Sequence, residues 1–217
     1  GKKAWHSLRF NSLMQKLLIN GKREISGTIS ISGSKNAALP ILAATILSEK
    51  VKLTNIPFVK DIFTMSQLLK FIGLKVNIFK KSNTIEVDNI KKNINTLAPY
   101  KLVKTMRAGV LVLGPLLAKY KKAKISLPGG CAIGTRPVDL HLFALKKLGA
   151  RIKIKNGYII AEAKNGLKGT KIIFPSISVG ATENAILAAF KASGTTILTN
   201  CAIEPEIKDL IKFLNNL

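Results

Sequence analysis

The residues best suited to chemistry lie in the stretch SLPGGCAIGTRPVDLH, from Ser126 to His141. Cys131, one of only two cysteines in the chain, stands there between a Gly-Gly pair and an Ile-Gly step. Glycine and proline disfavour regular helix or strand, and loops of this kind often carry functional groups. Arg136 follows Cys131 closely, and a guanidinium can lower the pKa of a thiol and bind a phosphate through two hydrogen bonds. The stretch favours a reactive thiol beside an anion site, and an inert thiol in a surface loop is the alternative.

Two further segments place polar side chains where helices are predicted to begin. In SGSKNAALPILAA, Ser34 precedes the helix, and Lys35 and Asn36 stand in its first turn. The free N–H groups of a first turn favour an anion, and a lysine adds a point charge suited to phosphate or carboxylate. In SVGATENAILAA, Ser178 opens a helix that would present a neutral hydrogen-bonding edge. An ordinary capped helix with an exposed lysine is the alternative for the first segment.

An internal repeat would position these residues. The segment PILAATILSEKVKLTNIPFVKDI, from Pro40, aligns without a gap with AILAAFKASGTTILTNCAIEPEI, from Ala185. A weaker copy lies around Gly114. In it the segment LVKTMRAGVLVLG places Arg107 at the helix start equivalent to that of Lys35 in the first copy. Each copy has the order helix, strand, loop, helix, strand, and three copies of roughly 70 residues cover nearly the whole chain. The sequence therefore predicts an α/β fold built from a threefold repeat of βαβαβ-type units.

Periodicity predicts the individual elements of the repeat. Apolar residues recur at helical spacing from Ile62 to Ile72, before a stop at Gly73, and again from Ile207 to Leu217. Cys201 directly follows the predicted strand segment ILTN, at an apolar position, and is interpreted as structural. Short β-branched runs separated by turn residues predict strands at 75–79, 84–87, 152–154 and 158–161.

Composition indicates a soluble globular protein with a sizeable core. The chain has 217 residues, 47% of them hydrophobic, and no apolar run approaches the ~20 residues that a membrane span needs. The basic first residues lack an apolar segment and a cleavage-like site, so no signal peptide is predicted. The two cysteines form neither a metal-type pair nor a disulfide framework, which favours a reducing cytosol.

The formal net charge of +24 suggests nucleic-acid binding, but the distribution of the charge argues against it. Lysines are spread along the whole chain, and aromatic residues, only 6% of the total, do not cluster with them. Nucleic-acid modules usually concentrate basic residues on one face and interleave stacking aromatics. We favour a lysine-rich solvated surface that attracts anionic small molecules, and a basic nucleic-acid-binding domain is the remote alternative.

Several common catalytic and metal-binding signatures are missing from the sequence. His6 and His141 stand alone, without the spacing of metal ligands. The sequence contains no P-loop, no GxSxG motif and no dinucleotide fingerprint preceded by a strand. The residues themselves therefore predict no metal site.

Four motifs carry a resemblance to a known family. SGSKNAALPILAA, LVKTMRA, LPGGCAIGTRPVDLH and SVGATENAILAA, in this order and spacing, closely resemble the bacterial UDP-N-acetylglucosamine 1-carboxyvinyltransferases, from Met14 to Leu217. These enolpyruvyl transferases have inside-out α/β barrel domains and make the first committed step toward peptidoglycan. The sister family that makes 5-enolpyruvylshikimate 3-phosphate shares the fold but has a different lysine motif and lacks this cysteine.

The resemblance implies a reaction and a set of site residues. The 3-hydroxyl of the amino sugar would add to phosphoenolpyruvate, and phosphate would then be eliminated, with no metal and no organic cofactor. Lys35 and Asn36 would contact phosphoenolpyruvate, with Lys35 also catalytic. Cys131 would donate a proton to the methylene carbon and would be the thiol that fosfomycin alkylates. The implied contacts to the UDP-sugar are Arg107, Arg136, Pro137, Val138, Asp139, Leu140, Ser176, Ile177, Ser178 and Val179.

The resemblance also implies a domain organisation. Residues 1–13 would be an extension outside the fold, and residues 14–33 a strand region that packs against a second domain. Residues 34–217 would form the three-repeat domain that carries the UDP-sugar site and the cysteine loop. The family has a second set of three repeats, which supplies the aspartate expected to act as general base and further arginines for phosphoenolpyruvate. That set lies outside this sequence, so we expect an incomplete form of the enzyme.

Two functional classes are consistent with these expectations. One is a cytoplasmic transferase whose remaining half is missing or is carried by another chain. The other is a non-catalytic module that holds a UDP-sugar without turnover. In both cases the expected partners are UDP-N-acetylglucosamine and, for the enzyme, phosphoenolpyruvate, with no specific nucleic acid and no membrane.

Overall fold

The computed structural model describes residues 21, 24, 26–90, 94–104, 106–127 and 138–217. Ser32–Leu217 forms one compact unit, and Gly1–Ile31 is a separate unit. The predicted extension at residues 1–13 and three residues of the cysteine loop, Cys131, Arg136 and Pro137, lie outside the described residues. Residues 26–33 form neither helix nor strand.

Seven helices and nine strands succeed one another in the described part of the chain. The helices are α1 Lys35–Ala44, α2 Lys60–Ile72, α3 Tyr100–Val103, α4 Leu113–Tyr120, α5 Asp139–Lys147, α6 Val179–Ala189 and α7 Pro205–Asn215, with 3₁₀ segments at Thr45–Leu47, Lys80–Ser82 and Arg107–Val112. The strands are β1 Lys50–Leu53, β2 Lys75–Phe79, β3 Thr84–Asp88, β4 Leu97–Ala98, β5 Lys122–Ser126, β6 Arg151–Lys155, β7 Tyr158–Glu162, β8 Lys171–Ile173 and β9 Ile197–Thr199.

Three of the helix starts and stops that the sequence indicated are confirmed. Ser34 caps α1 by accepting a hydrogen bond from the backbone N–H of Ala37, and Ser178 caps α6 in the same way. Gly73 ends α2 with a φ of 119°, a left-handed conformation that glycine adopts without steric cost. The four predicted strands are also confirmed, each within one residue at either end.

Two helical predictions need correction. Arg107 begins a 3₁₀ segment that continues into α4, and not an α-helix. Gly109 and the β-branched Val110 and Val112 are poor α-helix formers, which accounts for the tighter winding. The last predicted helix ends at Asn215, so Leu217 lies beyond it and is exposed.

The threefold repeat appears in the topology. In the first copy β1 joins the two helices and pairs antiparallel with β3, the second strand of the hairpin β2–β3. In the second copy β5 pairs in the same way with β7 of the hairpin β6–β7. In the third copy β9 joins α6 and α7 and pairs parallel with β8. Asn55 and Asn200, which occupy equivalent positions after β1 and β9, have φ angles of 56° and 54°. The aligned segments therefore share backbone conformation as well as sequence.

The first helices of the copies form the centre of the core. Helix α4 packs against α6, and α1 packs against α7 and the 3₁₀ segment Arg107–Val112. Leu42, Leu116 and Leu187, one from each helix, are fully buried. At Gly114 the backbone of α4 lies so close to α6 that an added Cβ would overlap the side-chain and backbone oxygens of Asn184. The absence of a side chain at this position lets the second and third copies meet.

We predict that Gly114→Ala lowers the free energy of unfolding by about 1–3 kcal/mol, because the new methyl group forces α4 and α6 apart. Urea unfolding followed by circular dichroism measures the change. Gly109→Ala is the matched control, because the closest atoms that a Cβ there would meet belong to the Val103 side chain, at an ordinary 3.4 Å. Equal stability of the two variants would contradict the close α4–α6 approach.

Candidate functional site

Segments from all three copies line one cleft of about 740 Å³. The first turns of α1 and α6 and the start of the 3₁₀ segment Arg107–Val112 open toward it. First turns of helices present free N–H groups and the positive end of the helix dipole. The repeat therefore gathers two helix N-termini and the side chains of Lys35 and Arg107 around a single space.

The cleft brings together seven of the residues predicted from sequence. They are Lys35, Asn36, Arg107, Val138, Ile177, Ser178 and Val179. Asp139 and Leu140 begin α5, and Ser176 precedes α6, but these three do not line the described cleft. Cys131, Arg136 and Pro137 belong to the part of the chain that the structure does not describe.

Asp61 lies in the cleft beside Lys35 and was not predicted as a site residue. Its Oδ2 atom is 3.1 Å from the Nζ atom of Lys35, and both side chains are partly exposed. An ion pair of this exposure contributes about 0–1 kcal/mol to stability, so its main effect is to hold the ammonium in place. The only sequence signal was the acidic residue shared by two copies, Asp61 and Glu206.

Asn184 connects the cleft to the core. Its Oδ1 atom accepts a hydrogen bond of 2.7 Å from the N–H of Gly114, which fixes the orientation of the amide because a backbone nitrogen can only donate. Its Nδ2 atom then donates to the carbonyl of Val110, at 3.1 Å, and to Nδ1 of His141, also at 3.1 Å. Asn184 thereby uses both its donors and its acceptor, as a fully buried amide requires.

The same contacts define the state of His141 at the wall of the cleft. Because Nδ1 of His141 accepts the hydrogen bond from Asn184, the proton of the neutral ring must lie on Nε2. Burial, and after it the charge of nearby Arg107, lowers the pKa of His141 to about 4. The ring has room because Gly180 has no side chain: a Cβ there would lie 3.1 Å from Cε1 of His141. His141 therefore presents a neutral N–H donor at neutral pH.

Glu183 is a second cleft residue that the sequence did not reveal. It lies in the second turn of α6 and is only 5% exposed. Burial raises the pKa of Glu183 to about 8, and the carboxylates of Glu206 and Glu204 add to the effect. At neutral pH this side chain is mostly a protonated acid. It therefore cancels little of the positive charge that Lys35 and Arg107 bring to the cleft.

Comparison with protein families identifies the fold and its lineage. Residues 19–217 match the model of the EPSP synthase family, described as 3-phosphoshikimate 1-carboxyvinyltransferase. The chain belongs to the EPSP synthase family. Curated relatives named UDP-N-acetylglucosamine 1-carboxyvinyltransferase confirm the resemblance that the motifs carried. One from Pelagibacter ubique is 61% identical and one from Rickettsia bellii 54% identical, each over 94% of this chain.

Solved structures confirm the α/β fold of the EPSP synthase family. The enolpyruvyl transferase NikO from Streptomyces tendae matches 91% of this chain and 46% of its own, with a TM-score of 0.76 at 20% identity. EPSP synthase from Acinetobacter baumannii matches 84% of this chain and 42% of its own, with a TM-score of 0.66 at 17% identity. The chain spans about half the length of the curated relatives, 48% for the Pelagibacter protein and 49% for the Rickettsia protein.

Two features are absent from the described residues of this EPSP synthase family member. None of its helices is both long enough and apolar enough to cross a bilayer. Within the same residues, His, Cys, Asp and Glu side chains form no group of three or more that could hold a metal ion.

We predict that Glu183→Gln changes how stability depends on pH. Between the ordinary pKa of 4.5 and the raised value of about 8, the folded wild type keeps a proton that the unfolded chain has lost. The free energy of unfolding of the wild type therefore falls as pH rises through this window, and the neutral glutamine removes that slope. We expect the free energy of unfolding of Glu183→Gln, relative to that of the wild type, to increase by on the order of a few kcal/mol from pH 5 to pH 8.

Urea unfolding of both proteins across this range measures the difference. The lowered pKa of His141 makes stability rise with pH below pH 6.5. Both proteins contain His141, so this contribution cancels in the difference between them. Parallel curves for the wild type and Glu183→Gln would contradict a buried, protonated Glu183.

Proposed function

We propose that this chain is the UDP-sugar-binding half of an enzyme that transfers the enolpyruvyl group of phosphoenolpyruvate to the 3-hydroxyl of UDP-N-acetylglucosamine. The observation that carries the proposal is the cleft in which Lys35, Asn36, Arg107 and Ser178 meet. These residues are far apart in sequence and belong to three copies of the repeat. Both proposed substrates are anions that carry phosphate groups, and the cleft offers two cations and two helix N-termini.

Phosphoenolpyruvate would bind at the start of α1. Lys35 is held beside Asp61, and Asn36 adds an amide in the same turn. The Lys35 ammonium has three donor hydrogens and is partly exposed, so it can contact a phosphate while its ion pair with Asp61 is kept. In this proposal Lys35 also acts in catalysis, by stabilising negative charge that develops on the phosphate during addition and elimination.

The UDP-sugar would bind along the walls contributed by the second and third copies. Arg107 can bind a phosphate through two hydrogen bonds, and the N-terminus of α6 adds N–H groups next to Ser178. Val138 lines the same cleft and directly follows Arg136 and Pro137 in the sequence. The full set of proposed contacts is Arg107, Arg136, Pro137, Val138, Asp139, Leu140, Ser176, Ile177, Ser178 and Val179.

The proposed reaction consists of an addition and an elimination. The 3-hydroxyl oxygen forms a bond to carbon 2 of phosphoenolpyruvate, a base takes the hydroxyl proton, and Cys131 gives a proton to the methylene carbon. The resulting methyl group then loses a proton as the bond to the phosphate oxygen breaks, which restores the double bond and releases phosphate. The sequence of bonds made and broken needs no electron acceptor and no cofactor.

The general base is the part of this chemistry that the described cleft does not supply. Asp61 is paired with Lys35, and Glu183 is mostly protonated at neutral pH. General base catalysis contributes roughly 10²–10⁴-fold to a rate. A base from a second domain would complete the enzyme, acting in the cytoplasm in peptidoglycan synthesis. The second candidate function, a UDP-sugar-binding module without turnover, is favoured by this same lack of a free carboxylate in the described cleft.

We predict that the 217-residue chain binds UDP-N-acetylglucosamine weakly and releases no phosphate from phosphoenolpyruvate. Isothermal titration calorimetry measures binding, and a phosphate assay measures turnover. Arg107→Ala should weaken binding by about tenfold or more, because it removes a charged hydrogen-bond donor to phosphate. Arg151→Ala, an exposed arginine on β6, is the matched control and should leave binding unchanged.

Addition of the second half of a homologous enzyme should restore phosphate release if the chain is part of a transferase. Continued binding without turnover in the reconstituted mixture would favour the binding module. Robust phosphate release by the chain alone would contradict the two-domain proposal.

We predict that fosfomycin, with UDP-N-acetylglucosamine and the second half present, alkylates Cys131 and spares Cys201. Cys201 is partly buried, and its Sγ atom lies 3.8 Å from the carbonyl oxygen of Leu198, as expected for a structural cysteine. Peptide mass spectrometry locates the adduct. An adduct only on Cys201 would overturn the role proposed for Cys131.

A further inference from the structure

One face of the sheet in the second copy concentrates positive charge. Residues that lie opposite each other in the antiparallel pairs β5–β7 and β6–β7 are on the same face of this sheet. One face, with the buried Ala123, Ile125 and Ala161, belongs to the core. The other face, here called the basic face, is exposed, and its charged residues on these three strands are Lys122, Lys124, Arg151, Lys153, Lys155 and Glu162.

The cations of the basic face form two rows, one on each side of the central strand β7. One row lies on β5 and the other on β6. Because neighbouring strands are about 4.8 Å apart, the two rows are about 10 Å from each other. Between them β7 presents Tyr158 and Ile160, both partly buried, with Glu162 at one end. An aromatic and an aliphatic side chain therefore lie between two rows of cations.

The ring of Tyr158 can be reached from the basic face. The Nζ atom of Lys124 lies over this ring, 4.9 Å from its centroid. Tyr158 pairs directly with Lys155 of the other row. A ring face that a lysine can cover can also stack against a planar base, and Lys124 is then available to a phosphate.

The corresponding sheet of the first copy is nearly balanced in charge. Its strands β1, β3 and β2 pair in the same order as β5, β7 and β6. On its exposed face the central strand β3 carries Glu86 and Asp88, which lie opposite Lys52 and Lys50 of β1. Glu86 also forms an ion pair of 3.5 Å with Lys52. The repeat by itself therefore does not require an uncompensated positive face.

The second copy differs at equivalent positions of this face. Ile160 lies opposite Lys124, where the first copy has Glu86 opposite Lys52. Lys153 occupies the position of Asn77. The loss of a carboxylate and the gain of a lysine both make the face more positive. Lysines that are spread along the sequence are thus brought together by strand pairing, beside an aromatic ring, as in nucleic-acid-binding modules.

We propose that the basic face binds single-stranded nucleic acid without sequence preference. The two rows of cations would contact phosphates, and a base would stack on Tyr158 between them. Stacking tolerates any sequence because every base has a π-face. A membrane surface fits this face less well, because Tyr158 and Ile160 are partly buried between the rows and do not project as the apolar residues of interfacial segments do. The inference is independent of the proposed substrates.

A fluorescein-labelled oligothymidylate of about 10 nucleotides serves as the probe, and fluorescence anisotropy with the full chain measures its affinity at several salt concentrations. Lys124→Gln combined with Lys153→Gln should weaken binding about tenfold or more near 0.1 M salt. It should also make the slope of log K against log salt shallower by about 1.4, because two phosphate contacts are lost.

Lys50→Gln combined with Lys75→Gln is the matched control. These two exposed lysines lie on either side of Asp88 in the first sheet, so the control removes the same charge from equivalent strands. It should bind nearly as the wild type does. Equal affinities of the two double variants would overturn the proposal, because binding would then follow net charge and not the basic face.

Tyr158→Ala should weaken binding about fivefold or more and leave the salt slope unchanged, because stacking on the ring releases no counterions. Tyr158→Phe keeps the ring and should bind as the wild type does. Thermal unfolding followed by circular dichroism reports whether each variant is folded. An unchanged affinity of a folded Tyr158→Ala would overturn the stacking role.

Vesicles that contain phosphatidylglycerol test the membrane as the other occupant. Sedimentation of the wild type with these vesicles, together with failure to bind the oligonucleotide, would overturn the proposal. So would equal affinity for the oligothymidylate and for a duplex of the same length, because paired bases are not free to stack on Tyr158.

Discussion

The site depends on one buried amide. Asn184 holds the N–H of Gly114, the carbonyl of Val110 and the ring of His141 at the same time. A buried amide that lost any of these partners would retain an unsatisfied polar group in a low-dielectric interior, which costs about 1–3 kcal/mol. The three bonds therefore fix the second copy of the repeat against the third. Arg107 and Ser178 face one cleft because the segments that carry them are joined at this point.

Burial, and not the overall composition, sets the charge of the cleft. The whole chain carries a formal charge of +24, but most of the lysines that the structure describes are exposed, and Lys35 is the one among them that lines the cleft. Within the cleft, burial removes the charge of His141 and most of that of Glu183 at neutral pH. Lys35, Arg107 and two helix N-termini then determine the local potential. The cleft is therefore more positive toward an anionic ligand than it would be if Glu183 carried its usual negative charge.

Repetition explains how the site is assembled. The first and third copies bring the first turns of α1 and α6 to the common cleft, and the second brings the start of the 3₁₀ segment Arg107–Val112, so one structural unit supplies three different walls. In the first and second copies the second helix is followed by a hairpin, β2–β3 and β6–β7.

Local signals in the sequence determined the elements and many of the site residues. Ser34 and Ser178 mark helix starts because their hydroxyls accept from the backbone, and Gly73 marks a stop because it adopts a left-handed conformation. The aligned segments revealed the repeat, and the motifs revealed the family. The helix signals act within a few residues of the chain, and the repeat shows as similarity between segments of the same chain, so both can be recognised without a structure.

Only the tertiary structure decided which side chains share a space and in what state. The pairing of Lys35 with Asp61, the N–H donor on His141 and the protonated Glu183 arise between segments that are distant in sequence. Glu183 and His141 carry no local mark that separates them from a solvated acid or an isolated histidine. Their protonation depends on how much water the packing of α5, α6 and the 3₁₀ segment Arg107–Val112 excludes. Desolvation is a property of the assembled fold, and no short stretch of sequence encodes it.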